Sequence, residues 1–208
     1  PIWLTPDIDA ATGVPTGIPV SELERVLDQK PIALLLTEPG YLGTISELPA
    51  LISKAHENSI PVIVDAAWGG HFGFNSQIPA HVLQLGADAL ITSVHKALPG
   101  YSASALLLAQ GKFLNLARIE QSFETTHTTS PAGAPLASID GCRALLQTRG
   151  EQLTGELLKY VQDFKNAVQS HFDAPIFLNP SNNYPSRIKG ASHLYLATRC
   201  IHALHINS

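Results

Sequence analysis

Residues 86–100, with the sequence GADALITSVHKALPG, predict a buried strand that ends in a turn carrying a lysine. The apolar run from Ala89 to Ile91 is short and follows Gly86, which is typical of a strand inside an α/β protein. Lys96 then falls in the turn just beyond the carboxyl end of that strand. Ligands bind at this end of the strands in α/β proteins, so the lysine marks a candidate binding site.

A lysine in this place can do chemistry that an ordinary surface lysine cannot. An amine withdrawn from water can lose its proton and condense with an aldehyde, and pyridoxal phosphate is the aldehyde that this chemistry indicates. The alternative is an exposed loop lysine, which is how most lysines occur. Lys96 alone does not decide between the two.

A second predicted strand ends in a carboxylate. Residues Ile60 to Asp65, IPVIVD, form a β-branched run that continues into AAWGGHF at 66–72. A carboxylate at such a strand end can keep the pyridine nitrogen of pyridoxal phosphate protonated, which makes the ring an electron sink. The alternative is a helix N-cap or a hydrogen-bonded loop aspartate. Lys96 and Asp65 together favour the cofactor interpretation more than either residue does alone.

Five short blocks follow one another in a fixed order: TEPGYLG at 37–43, DAAWG at 65–69, HFGF at 71–74, SVHKALP at 93–99 and TTSP at 128–131. In this order they resemble the bacterial ornithine/lysine/arginine decarboxylase family, whose members are fold type I pyridoxal phosphate enzymes. The likeness runs from about Pro6 to Arg149. It implies an α/β fold, with a mostly parallel sheet and helices on both faces, that forms part of the large domain of such an enzyme.

The resemblance also implies roles for individual residues. Lys96 matches the lysine that forms the Schiff base, Asp65 matches the partner of the pyridinium nitrogen, and His95 is expected against cofactor or substrate. These three are the expected catalytic residues. The expected cofactor-binding residues all follow the two predicted strands: Asp65, Ala67, Trp68, Ser93, His95 and Lys96.

Within that cofactor set, the resemblance places Ala67 and Trp68 beside the ring and its 3'-oxygen, and Ser93 at the phosphate. Two positions depart from the family pattern. Ala103 stands where the family usually has a glutamine, and Ala66 stands where it has an acidic residue or serine. Neither departure removes an expected catalytic group.

The activity implied by the resemblance is decarboxylation of lysine, ornithine or arginine to the corresponding amine, as in polyamine biosynthesis. An aminotransferase or a carbon–sulfur lyase would share the lysine and the aspartate, and a non-catalytic remnant of the fold is a further alternative. Family members are considerably longer and form homodimers or higher oligomers, and their phosphate-binding loop lies before the position of Pro1. The chain is therefore expected to be a fragment that binds cofactor weakly and is inactive alone.

Composition limits the remaining possibilities. The chain has 208 residues and a net charge of −4 without a basic stripe, which argues against nucleic-acid binding. No apolar run approaches the ~20 residues of a membrane span. Cys142 and Cys200 are not in a Cys-x-x-Cys motif, which favours a reduced, cytoplasmic protein. His202 and His205 lack a third ligand at suitable spacing, so no metal site is expected.

The periodicity predicts alternating strands and helices. Strands are expected at 32–37, 60–65, 89–92 and 103–109, and helices around 48–55, at 79–85, at 133–148 and from Leu153 to Val168. Breaker residues become frequent after about Asp173. Residues 1–172 are thus interpreted as the cofactor-binding fragment and 173–208 as an irregular or divergent tail.

Overall fold

The computed structural model describes residues 1–10, 13–111 and 113–171, with the side chains of 168, 169 and 171 excluded. In chain order its elements are β1 (Asp7–Ile8), β2 (Pro15–Gly17), α1 (Val20–Val26), a 3₁₀ turn (Leu27–Gln29), β3 (Leu34–Thr37), α2 (Leu48–Glu57), β4 (Val62–Asp65), β5 (Ala89–Ser93), β6 (Ala105–Ala109), α3 (Leu116–Thr126) and α4 (Gly133–His171). The predicted tail at 173–208, with Cys200, His202 and His205, lies outside the described residues. The domain boundary near 172 therefore stays a prediction.

The main sheet of the described residues has four strands in the order β3-β4-β5-β6. β3, β4 and β5 are parallel, with Thr37 paired to Asp65 and Asp65 paired to Ile91. β6 runs antiparallel to β5 and returns after the short turn that carries the lysine, so Ser93 pairs with Ala105. A connection this short can join only antiparallel neighbours. The register brings the carboxyl ends of β3, β4 and β5 to one edge.

One face of the sheet forms the core. The strand residues buried there are Leu34 and Leu36 of β3, Val62 and Val64 of β4, and Leu90 of β5. The helix α2 begins with a proline in its first turn and packs its apolar stripe, Leu48, Leu51, Ile52 and Ala55, into the same cluster. Leu23 and Val26 of α1 complete it. This packing fixes the level at which the parallel strands end.

Successive side chains of a strand point to opposite faces of the sheet, so the residues between the core residues lie on the other face. It carries Leu35 and Asp65, with Ile91 and Ser93 of β5 on the same side by register. Leu35 is 68% exposed and Ile91 is 37% exposed. The candidate residues Asp65 and Ser93 therefore lie on the less covered face, where Asp65 is half-buried and Ser93 is buried.

The structure corrects two helix predictions. The helix expected from Pro79 to Leu85 is wrong: residues 82–86 form turns, and Gly86, with φ of 102°, ends them before an α-helix can develop. The two helices expected at 133–148 and from Leu153 are one continuous helix, α4. Gly150 interrupts the apolar periodicity, but the helix continues through it. Phe74 occupies the space that a side chain on Gly150 would fill.

The helix α4 is attached to the loop that follows β4. A Cβ on Gly150 would lie 2.7 Å from Phe74, and Asn75 donates from its side-chain amide to the carbonyl of Glu151 at 3.2 Å. Cys142 and Val161 are buried on the same helix. Within the described part of the chain, no helix has both the length and the apolar character needed to cross a membrane.

Leu36 and Leu35 lie on opposite faces of β3, so the same substitution at each should lower the free energy of unfolding by unequal amounts. Leu36→Ala should lower the free energy of unfolding by about 2 to 5 kcal/mol, because it leaves a cavity in the core. Leu35→Ala, one residue away and exposed, should change it by less than about 0.5 kcal/mol. Urea unfolding of the two variants gives both values. Equal losses would show that the exposed face is also packed in solution.

Candidate active site

The candidate site lies where β4 and β5 end. Main-chain bonds continue past the strands: the amide of Ala66 donates to the carbonyl of Ile91 at 2.7 Å, and the hydroxyl of Thr92 donates to the carbonyl of Ala66 at 3.0 Å. Ala66 is thus bound to β5 through both of its main-chain polar groups. Its neighbours on either side, Asp65 and Ala67, are held beside the segment that leads to the lysine.

Asp65 ends β4 and is half-buried. Its Oδ1 accepts a hydrogen bond from the amide of Ala67 at 3.0 Å, which folds the chain back over the strand end. Among the described residues no donor pairs with Oδ2. The carboxylate is therefore fixed in orientation by one oxygen and has the other available to a ligand.

Lys96 lies in the turn after β5 and is half-buried. Its Nζ lies 5.2 Å from the centroid of the Trp68 ring, within the range of a cation–π contact. The structure thus brings Lys96 of the β5 turn onto Trp68, which follows β4. No hydrogen bond or ion pair within the described residues engages Nζ, so the amine is available.

His95 and Ser93 flank the same turn. His95 Nδ1 lies 2.8 Å from the carbonyl of Ser104, and because a carbonyl only accepts, Nδ1 carries the proton. In that tautomer the lone pair lies on Nε2. Ser93 is buried, and its hydroxyl has no partner among the described residues. By register it lies on the same face of the sheet as Asp65, one strand across.

Tyr41, in the block at 37–43, is a neighbour of the site for which the sequence predicted no role. Its ring meets Trp68 edge to face, with ring centroids 6.3 Å apart. Pro39 packs against the same segment, since a Cβ on Gly69 would lie 3.2 Å from Pro39 Cδ. The 37–43 block therefore lies against the 65–69 block, and their joint presence in the sequence was the available signal.

The acidic residues Glu38, Glu120 and Glu124 differ in burial. Glu120 and Glu124 are exposed on α3, whereas Glu38 is buried directly after β3. Burial raises the pKa of Glu38 to about 7, and hydrogen bonds from Ser46 oppose that rise. Its burial separates Glu38 from the other two and was not foreseen from the sequence.

His71 is buried three residues after Trp68, and neither ring nitrogen has a hydrogen-bond partner in the described part of the chain. Its ring contacts Phe72 edge to face at 4.8 Å between centroids. Burial lowers the pKa of His71 to about 4. The residue is therefore neutral near pH 7 and packs as an aromatic side chain.

Comparison with known proteins identifies the relatives of this chain. The family model described as Orn/Lys/Arg decarboxylase, major domain, matches residues 1–198. An uncharacterized protein of Bacillus subtilis, YaaO, is 34% identical over 88% of this chain and 38% of its own length. An arginine decarboxylase of the same organism is 35% identical over 76% of this chain and 33% of its own length. The chain spans between a third and two fifths of these relatives.

Solved structures agree on the fold. The constitutive lysine decarboxylase of E. coli superposes with a TM-score of 0.67 at 22% identity, over 88% of this chain and 29% of that one. A cystathionine gamma synthase from Xanthomonas oryzae gives 0.53 at 21% identity, over 82% of this chain and 44% of that one. The predicted fold class, an α/β fold of the fold type I pyridoxal phosphate enzymes, is confirmed.

The buried, unpaired ring of His71 predicts an acid-sensitive fold. A histidine with a lowered pKa contributes stability above its unfolded pKa near 6.5 that is lost as the pH falls through about 4. The loss should approach about 3 kcal/mol, from the size of the shift. His71→Leu should reduce this dependence, as measured by urea unfolding at about pH 7.5 and about pH 4. An unchanged pH dependence in His71→Leu would contradict the assignment.

Proposed function

This chain belongs to the Orn/Lys/Arg decarboxylase family, and from that membership we propose that it is the cofactor-binding part of an enzyme that removes the carboxyl group from a basic amino acid. The cofactor of the family is pyridoxal phosphate. The observation that carries the proposal is a group of three polar side-chain atoms at one sheet edge. The amine of Lys96, the Oδ2 of Asp65 and the hydroxyl of Ser93 have no hydrogen-bond or ion-pair partner among the described residues.

The chemistry of these groups fits the cofactor. An amine suits its aldehyde, a carboxylate suits its ring nitrogen, a hydroxyl suits its phosphate, and the indole of Trp68 offers an apolar face for its ring. In this proposal Lys96, Asp65 and Ser93 hold those three groups. Ala67, Trp68 and His95 line the ring. When bound, the cofactor supplies an aldehyde for amines and a ring that accepts an electron pair.

The protein side of the mechanism follows from the contacts of each residue. Asp65 Oδ1 is occupied by the Ala67 amide, so Oδ2 is the oxygen that would hold a proton on the ring nitrogen. Trp68 lies under the Lys96 amine at 5.2 Å and limits where that amine can move. His95, with Nδ1 bound to the Ser104 carbonyl, presents Nε2 as a proton acceptor. Lys96, or His95 once Nε2 has taken up a proton, would donate a proton to the product carbon.

The proposal extends to the complete protein. We propose a cytoplasmic homodimer or higher homo-oligomer that acts on lysine, ornithine or arginine and contributes to polyamine biosynthesis. Its support is the family membership and the similarity to arginine decarboxylases of Bacillus species. Aminotransferases and carbon–sulfur lyases use the same pair of lysine and carboxylate. Release of carbon dioxide together with the matching amine distinguishes the proposed reaction from both.

Lys96 should be the lysine that the cofactor modifies. Treating the 208-residue chain with pyridoxal phosphate and borohydride should fix the pyridoxyl group on the peptide that contains Lys96, because among the described lysines it is the one that follows β5 and contacts Trp68, just past the Asp65 strand end. Lys96→Ala should lose that label. Lys159→Ala is the matched control and should keep it, since Lys159 is exposed and pairs with Asp163 at 2.6 Å on α4. Label spread evenly over the surface lysines would overturn the assignment.

Asp65→Asn separates charge from shape. An asparagine keeps the oxygen that accepts from the Ala67 amide but loses the negative charge that would hold the ring proton. In the complete polypeptide that contains this chain, decarboxylation should slow by roughly 10² to 10⁴. The assay follows carbon dioxide and amine release from lysine, ornithine and arginine in turn. A rate within about twofold of the parent would remove Asp65 from the mechanism.

A further inference from the structure

Glu38 follows β3 and is only 3% exposed, although it is acidic. Its amide donates to the carbonyl of Asp65 at 2.9 Å, which extends the pairing of β3 and β4 by one residue. Its main chain is therefore attached to the last residue of the strand that carries the candidate carboxylate. Acidic side chains are rarely this buried unless a specific contact requires them.

The side chain of Glu38 closes a loop. Both carboxyl oxygens accept from the amide of Ser46, at 3.0 and 3.1 Å. Between Glu38 and Ser46 the chain makes a tight turn, in which the amide of Gly40 donates to the carbonyl of Thr44 at 2.8 Å. The Ser46 hydroxyl accepts from the amide of Ile18 at 2.8 Å, which fixes the far end of the loop. Residues 38–46 form what we call the Glu38 loop.

The Glu38 loop touches the candidate site through two side chains. Pro39 packs on the backbone of Gly69, and the Tyr41 ring meets the edge of Trp68 with centroids 6.3 Å apart. Trp68 in turn lies 5.2 Å from the Lys96 amine. A continuous set of contacts thus runs from the Glu38 carboxyl through the loop to Trp68 and the lysine.

We propose that Glu38 is a positioning residue of the Lys96 site: its carboxyl holds the Ser46 amide, and so keeps the Glu38 loop, through Tyr41, against Trp68 beneath the lysine. This inference deepens the proposed function and rests on it for one point, the effect of Glu38 on the reaction of Lys96 with the cofactor. The contact between Tyr41 and Trp68 does not depend on the proposed function.

Burial is the main cause of the raised pKa of Glu38, and no charged side chain of the described residues contributes to the shift. The carboxyl is therefore not part of an ion pair. Among the described residues its hydrogen-bond partner is Ser46, through the amide and the hydroxyl, and the side-chain oxygen of a glutamine can accept from the same amide. Glutamine at this position should keep the loop closed, whereas alanine should release it.

The variants separate positioning from general stability. Glu38→Ala removes the hydrogen-bond acceptor. Glu38→Asp shortens the side chain by one methylene, and Glu38→Gln keeps both its length and an acceptor oxygen. Glu156→Ala, an exposed acidic residue on α4, controls for the change in net charge. Trp3→Phe in every variant leaves Trp68 as the single tryptophan, because the chain has only two. Trp68 emission and its quenching by acrylamide then report the loop without cofactor.

Glu38→Ala and Glu38→Asp should shift Trp68 emission to longer wavelength, increase its quenching and slow borohydride labelling of Lys96 roughly tenfold. Glu38→Gln and Glu156→Ala should match the parent in all three. If Glu38→Ala fails to fold, the Asp and Gln variants decide the question. Trp68 signals unchanged in Glu38→Asp, or Glu38→Gln as altered as Glu38→Asp, would overturn the proposal. Altered Trp68 signals in a chain whose Lys96 never labels would overturn the proposed function instead.

Discussion

The attachment of Ala66 to β5 is the constraint on which the site depends. Its amide bonds to Ile91 at 2.7 Å and its carbonyl accepts from Thr92 at 3.0 Å, so the chain leaving β4 cannot move away from the chain leaving β5. Asp65 lies just before this point and Trp68 just after it. Because both bonds involve the main chain of Ala66, an alanine serves where the family has an acidic residue or serine.

One face of the sheet forms the core that stabilises the fold, and the other face carries the candidate site residues. The face covered by α1 and α2 is closely packed, and it sets the relative heights of β3, β4 and β5. The other face carries Asp65 and Ser93 with less cover. Polar groups at strand ends stay unpaired without a large loss of stability because the core on the opposite face supplies the driving force for folding. The rigid core also keeps Asp65 and the Lys96 turn in register, as a preorganised site requires.

The sequence predicted the elements whose signals are local. The strand that ends at Asp65 was recognisable from a short β-branched run, the strand that ends at Ser93 from a short apolar run, and the lysine turn from its position after the second. The turns at 82–86 overlap the predicted helix at 79–85, and Gly86, with its positive φ, ends them before an α-helix forms. Tyr41 and Glu38 could not be assigned from the sequence, because their partners, Trp68 and Ser46, become neighbours only when the loop after β3 closes.

We propose that the Lys96 turn and the Asp65 carboxylate form one cofactor site. Nitrogen NMR of pyridoxal phosphate labelled with ¹⁵N in its ring is a direct test, since the chemical shift of that nitrogen reports whether it carries a proton. The ring nitrogen should be protonated in the complex with the parent chain and unprotonated in the Asp65→Asn complex at the same pH. The same shift in both complexes would show that Asp65 does not face the ring of a cofactor held by Lys96.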